Sequence, residues 1–216
     1  MSQLLPSLVE LDQHAQAEPE FATWRGGFGP FEHALETQAA VFRLAHQLVQ
    51  AGHQPDLASV YRLLQAVDRV ASAGLWLVVH MTYARQVHLD GSPLAAEDFK
   101  HNPEGHTGGA LNMVPAYAGY LGLNALSGQT RGWLMGQGHC VAAIEALNLL
   151  TANQHPEQVA RYADGEAGMN RLLGDFYGYA QASDGSPSAP LGSHVNPHTA
   201  GGIAEGGYLG FAELQY

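Results

Sequence analysis

The stretch TRGWLMGQGHCVAAIEALNLL, residues 130–150, decides how the rest of the chain is read. Residues 130–136 (TRGWLMG) are a short strand candidate bounded by glycines. Gly136-Gln137-Gly138-His139-Cys140 follows as a turn, and residues 141–150 then read as a helix. A strand, a glycine turn and a helix in immediate succession is the α/β pattern, in which ligands sit at strand carboxyl ends. The expectation is an α/β fold, a parallel sheet flanked by helices, with the turn's N–H groups turned to an anion. The alternative for the turn itself is an ordinary chain reversal. Cys140 beside His139 raises a Cys–His nucleophile, but adjacent helical residues point about 100° apart. A small buried cysteine is the better reading.

Working outward, residues 32–51 carry apolar positions at Ala34, Leu35, Val41, Phe42, Leu44, Ala45 and Leu48, roughly a 3.6-residue period and hence a helix. Asp56 is a fair N-cap for a second helix to about Ala73. Leu75 to Val79 suits either a buried strand or a continuing helix, and the absence of a breaker through Val87 favours helix. Residues 91–109 are turn-rich. Leu111 to Leu126 reads as a helix, with Pro115 expected in its first turn, where a missing N–H costs little. Residues 156–163 and 167–180 predict two more helices, and 181–202 a long loop. Residues 1–30 (Trp24, Gly26, Gly27, Gly29, Pro30) read as an extended arm, leaving 31–216 as one α/β domain.

Composition narrows the function by exclusion. Nine Lys and Arg against twenty Asp and Glu give a formal net charge of −11 over 216 residues. Nucleic acid and anionic membrane need cationic groups, so neither is an expected partner. A phosphate site must be local, built from backbone N–H groups or from the twelve histidines. No apolar run approaches the length of a membrane span, and no signal peptide is visible at the N-terminus. A single cysteine, Cys140, excludes an internal disulfide framework and suits a reducing cytoplasm.

Three constellations carry possible chemistry. Glu104-Gly105-His106-Thr107-Gly108-Gly109 surrounds one histidine with glycines, so the imidazole could contact a phosphate or polarise a hydroxyl. It could equally be a glycine turn with an incidental histidine. The second constellation is the Gly136–Cys140 turn. The third runs from Ser193-His194-Val195-Asn196 to Gly206-Gly207 and includes Glu205. His194 and His198 lack a third ligand at convincing spacing, so no metal site is assigned. Asp164-Gly165-Glu166 is similar to a diphosphate–magnesium motif, but a polar helix precedes it, and a helix-capping turn is the better reading.

Taken in this order and spacing, the three constellations resemble the N-terminal half of the first domain of the xylulose 5-phosphate/fructose 6-phosphate phosphoketolase family, over about residues 60 to 216. Gly105-His106-Thr107-Gly108 resembles that family's G-H-x-G, and Gly136-Gln137-Gly138-His139 its G-P-G-H-G. The stretch from Ser193 to Gly210 resembles its third motif. The resemblance implies thiamine diphosphate and magnesium as cofactors, and a sugar phosphate and inorganic phosphate as substrates that yield acetyl phosphate. It places His106, His139 and His194 as catalytic groups. Gly105, His106, Gly136, Gly138, His139 and Glu205 would lie against the cofactor, and Ser193, His194 and Asn196 against the substrate. Gln137, Cys140, Ala200, Ala204 and Tyr208 depart from the family pattern.

The family's GDGE diphosphate–magnesium motif does not occur in these 216 residues. The expectation is therefore a partial fold with weak or absent cofactor binding and no turnover on its own, associating with a second copy or with the remainder of the enzyme. Two other readings stand beside it. One is a binding or regulatory module that keeps the fold. The other is a histidine-containing hydrolase, which lacks a serine elbow and a credible metal set.

Overall fold

The computed structural model describes residues 8–132, 140–178 and 180–191. Among them lie α1 (Leu8–Ala17), α2 (Pro19–Arg25), α3 (Leu35–Gln50), α4 (Leu57–Tyr83), α5 (Thr107–Ser127), α6 (Val141–Leu150), α7 (Pro156–Tyr162) and α8 (Gly165–Asp175), with a single 3-10 turn at Ala96–Asp98. No strand occurs among the described residues. Isolated bridges alone pair Phe28 with Phe31, Ala84 with Phe99 and Gln181 with Pro187.

The expected parallel sheet flanked by helices is thus corrected: the described chain is helical, not α/β. One reason is visible at Thr130-Arg131-Gly132, the start of the strand candidate. Asn124 Oδ1 accepts the Arg131 N–H at 3.3 Å, and the Arg131 guanidinium donates to Ser127 Oγ at 3.0 Å and Gln129 Oε1 at 2.9 Å. These bonds turn the segment back on the end of α5, where a ladder would need its backbone free. The remainder of that candidate, residues 133–139, lies outside the described residues. The Leu75–Val79 run falls inside α4, which continues unbroken to Tyr83, so its apolar residues serve a helical face.

Elsewhere the local rules hold. Asp56 Oδ1 accepts the Ser59 N–H at 2.7 Å, the bond an N-cap makes to the third helical residue. That bond holds the Asp56 carboxyl below the usual range. Pro115 sits in the interior of α5 rather than in its first turn, because the helix starts four residues earlier than expected, at Thr107. The segment expected as an extended arm is helical over α1 and α2, with Pro19 opening α2 at a position that needs no N–H.

The chain divides into two compact units, Met1–Ser72 with Ala118–Arg131, and Ala73–Tyr117 with Gly132–Tyr216. The first buries Leu11, Phe21, Trp24, Leu48, Tyr61 and Leu126 in one core. Its rings interlock: Phe21 meets Phe42 edge-on at 5.2 Å, and Trp24 stacks on His33 at 4.1 Å. His33 Nε2 lies 3.0 Å from Asp68 Oδ2, and Arg25 joins Asp12 and Gln38, each at 2.6 Å. In the second unit, Tyr117 Oη donates to Asn148 Oδ1 at 2.8 Å between α5 and α6. Arg161 and Tyr162 of α7 both bond the Asp175 carboxylate at the end of α8.

Candidate functional site

The described part of the site is the turn Gly105-His106 at the start of α5, and it is built from the loop that leaves α4. That loop is pinned at its root by backbone bonds from Arg85 N–H to Asp98 O at 2.6 Å and from Lys100 N–H to Tyr83 O at 2.9 Å. Asp98 organises its middle. Its buried carboxylate accepts the Ala95 N–H at 2.7 Å and the Gln86 amide, and faces His88 Nε2 at 3.4 Å. The Gln86 and Ala95 bonds hold the Asp98 carboxyl below its ordinary range. Helix α8 carries the loop from one side: Asn170 Oδ1 accepts the Val87 N–H and Glu166 Oε2 the Leu89 N–H, both at 2.7 Å. Glu166 of the Asp164-Gly165-Glu166 turn thus anchors a loop, and Asp164 stands at the N-cap position of α8.

Gly105 adopts φ +132, a conformation side chains rarely take. A Cβ there would also stand 3.1 Å from the Phe176 ring and 3.2 Å from Thr82 Oγ1. The turn brings His106 to the N-cap of α5. His106 O accepts the Ala110 N–H at 3.0 Å, and His106 Nδ1 accepts the Gly109 N–H at 3.1 Å. An imidazole that accepts at Nδ1 carries its hydrogen on Nε2 when neutral. His106 is therefore both a helix cap and an exposed donor. Thr107 Oγ1 donates to Tyr83 Oη at 3.4 Å beside it. Gly108 faces open space at the helix start, and N–H groups of a first turn favour negative charge.

Gly109 also joins two of the sequence constellations. A Cβ at that position would lie 2.5 Å from His106 Nδ1 and 2.7 Å from Cys140 Sγ. The end of the Gly136–Cys140 segment thus meets the Gly105–Gly109 turn, a juxtaposition that adjacency in sequence did not reveal. Cys140 is buried, and burial pushes its thiol upward, the behaviour of a packing residue and not of a nucleophile. Of the residues singled out by sequence, Gly105 and His106 are placed by the structure. Gly136, Gly138, His139, Ser193, His194, Asn196 and Glu205 lie outside the described residues. Lys100 and Phe176, which support the turn, were not found by sequence reasoning. Phe176 has no local signal, because its partner Gly105 is remote in the chain.

The turn thus places an exposed histidine beside the first turn of α5. No group of three or more His, Cys, Asp or Glu among the described residues is arranged to hold a metal ion. No helix among the described residues is long and apolar enough to cross a membrane.

Residues 60–215 match the family of the XFP N-terminal domain. Similar curated proteins include probable phosphoketolase 2 of Lactiplantibacillus plantarum, 28% identical over 151 residues, which is 70% of this chain and 18% of that protein. A probable phosphoketolase of Pseudomonas putida is 31% identical over 157 residues, 69% of this chain and 18% of the relative. That of Synechocystis sp. is 29% identical over 139 residues, 64% and 16% respectively. The chain thus spans less than a fifth of the length of the relatives it matches. No solved structure matches the chain significantly.

Proposed function

This chain belongs to the XFP N-terminal domain family, the N-terminal domain of phosphoketolases, and from that premise we propose that it serves a thiamine-diphosphate-dependent phosphorolytic cleavage of a ketose phosphate. The substrates on this reading are xylulose 5-phosphate or fructose 6-phosphate with inorganic phosphate, and acetyl phosphate is the product. Thiamine diphosphate supplies the electron sink for carbon–carbon cleavage. The protein supplies placement and proton handling. Gly105 lets the backbone approach a ligand, and His106 presents Nε2–H to a phosphate or hydroxyl oxygen. Gly136, Gly138, His139, Ser193, His194, Asn196 and Glu205 complete the pocket in this proposal, with His139 and His194 as further proton-transfer groups.

The observation that carries the reading is the His106 Nδ1 bond to the Gly109 N–H, because it commits Nε2 to donation. The proposal includes a cytoplasmic location, consistent with one buried cysteine. It also includes association with a second copy or with further enzyme segments that hold magnesium. For the 216-residue polypeptide alone we propose no turnover, since its match covers under a fifth of the relatives.

Calorimetric titration of the full chain with thiamine diphosphate and magnesium tests this, using His106→Asn and His106→Ala. Asparagine still caps a helix, so His106→Asn separates the ligand role from the cap. The expected result is weak or absent binding by the natural chain, and measurable binding should fall on the order of tenfold or more with either substitution, the loss of one hydrogen bond to a charged group. Binding that His106→Asn leaves unchanged would reduce His106 to a cap. Absence of binding by the natural chain would leave it a module that needs partner segments to hold the cofactor.

A further inference from the structure

Lys100 stands at a junction that the proposed function does not use. Its backbone N–H donates to Tyr83 O at 2.9 Å and its Nζ to Met81 O at 2.7 Å, so one residue satisfies two of the carbonyls left unpaired at the end of α4. The same Nζ donates at 3.3 Å to the carbonyl of Phe176, the residue that closes α8. The Phe176 ring lies 5.6 Å from Nζ, within reach of a cation–π contact, and its Cε1 is the atom that a Cβ on Gly105 would meet. Tyr177 follows at φ 56, a strained conformation for a bulky residue, which persists only where its surroundings over-determine it. Its flanks supply that constraint: the Phe176 ring meets Tyr177 edge-on at 4.9 Å, and the Gly178 N–H closes the turn on Asp175 O at 2.9 Å.

We propose that Lys100 is the positioning residue of the Gly105-His106 turn. Its side chain ties the end of α4 to the end of α8, seats Phe176 beneath Gly105, and so fixes the direction in which His106 leaves the loop. The consequence for catalysis rests on the reading that His106 faces a ligand, while the placement itself does not. Burial pulls the Lys100 ammonium down to about 8, with Glu104 opposing and Arg85 assisting. A neutral amine keeps two N–H donors, enough for both carbonyls. The tie therefore survives deprotonation, while the charge beneath the turn is lost.

Amide and ring nitrogen spectra of the full chain, recorded from neutral pH to about pH 9.5, read this directly. The expected result is a common movement of the Gly105 and His106 amide signals with a midpoint near 8. Lys100→Met, an apolar side chain of similar length, should abolish that step. It should also shift His106 Nδ1 from the hydrogen-bonded acceptor position toward a tautomer mixture. Lys100→Arg should keep the natural Nδ1 position and show no step. A folded Lys100→Met with His106 Nδ1 unmoved would overturn the proposal. Should Lys100→Met fail to fold, Lys100→Gln, whose shorter amide cannot span both carbonyls, decides by the same Nδ1 readout, a shift upholding and an unmoved signal overturning the assignment. Cofactor binding that His106→Asn leaves unchanged would remove the proposed ligand role of His106 and leave this readout untouched.

Discussion

Glu145 is the residue whose chemistry is most at odds with its place. It is 1% exposed on α6, its Oε2 accepts the Gln158 amide at 2.8 Å, and its Oε1 has no partner. Burial pushes its carboxyl up to about 8 from 4.5. Between those two values the folded chain keeps a proton that the unfolded chain releases, so stability falls as pH rises through this window. Glu145→Gln keeps a partner for Gln158 and removes the charge. Above pH 8 it should be more stable than the natural chain by about 1–3 kcal/mol, with little difference near pH 4.5. Denaturant unfolding at the two pH values checks this, and an equal gap at both would mean that Glu145 does not titrate. Gly109 and Gly108 offer a second comparison at this scale. Gly109→Ala forces a Cβ against His106 and Cys140 and should cost about 1–3 kcal/mol by overpacking. Gly108 faces open space, and Gly108→Ala should gain up to about 1 kcal/mol of helix propensity. Thermal melts of the pair should move in opposite directions.

At the scale of elements, α4 and α5 show what periodicity delivers and where it stops. The α4 cap at Asp56 was legible because an acid before an apolar-periodic run is a local signal. Asp56→Ala should lower stability by removing the cap bond to the Ser59 N–H, read as a small fall in melting temperature. The start of α5 was not legible, because its cap is a histidine, a residue the usual capping preferences do not favour. That late assignment is what put Pro115 in the first turn, when in fact it lies exposed within α5. A proline there removes one helical N–H, so Pro115→Ala should stabilise the chain by about 1–3 kcal/mol, measured by thermal unfolding. A loss of stability instead would show that the neighbours of α5 are fitted to a bend at that proline. The strand expected from residue 130 failed at Arg131, whose bonds run to side chains of α5 and its following turn. Such bonds have no signature in a hydropathy pattern.

At the scale of the whole molecule, the family match begins at residue 60, inside a core it does not complete. Val60, Tyr61 and Leu126 lie in the matched stretch and are buried with Leu11, Phe21, Trp24 and Leu48 from α1–α3. A polypeptide of residues 60–216 would expose all three, at about 1.5–3 kcal/mol for each large side chain. It should melt lower than the full chain and self-associate in light scattering. A monomer with unchanged melting would show that α1–α3 are dispensable to this core.

The sequence by itself determined the family, through three spaced motifs. It also determined the helices from α3 to α8 to within a few residues, save the end of α4, the start of α5 and the end of α8, because amphipathic periodicity and turn residues are local properties. It marked Gly105 and His106 because glycines around a lone histidine stand out in one dimension. Only the tertiary structure decided that His106 caps α5, that Cys140 packs against Gly109, and that Lys100 and Phe176 support the turn. Those facts depend on which residues remote in the chain come within a few ångströms of one another. Packing fixes that, and no spacing along the chain records it.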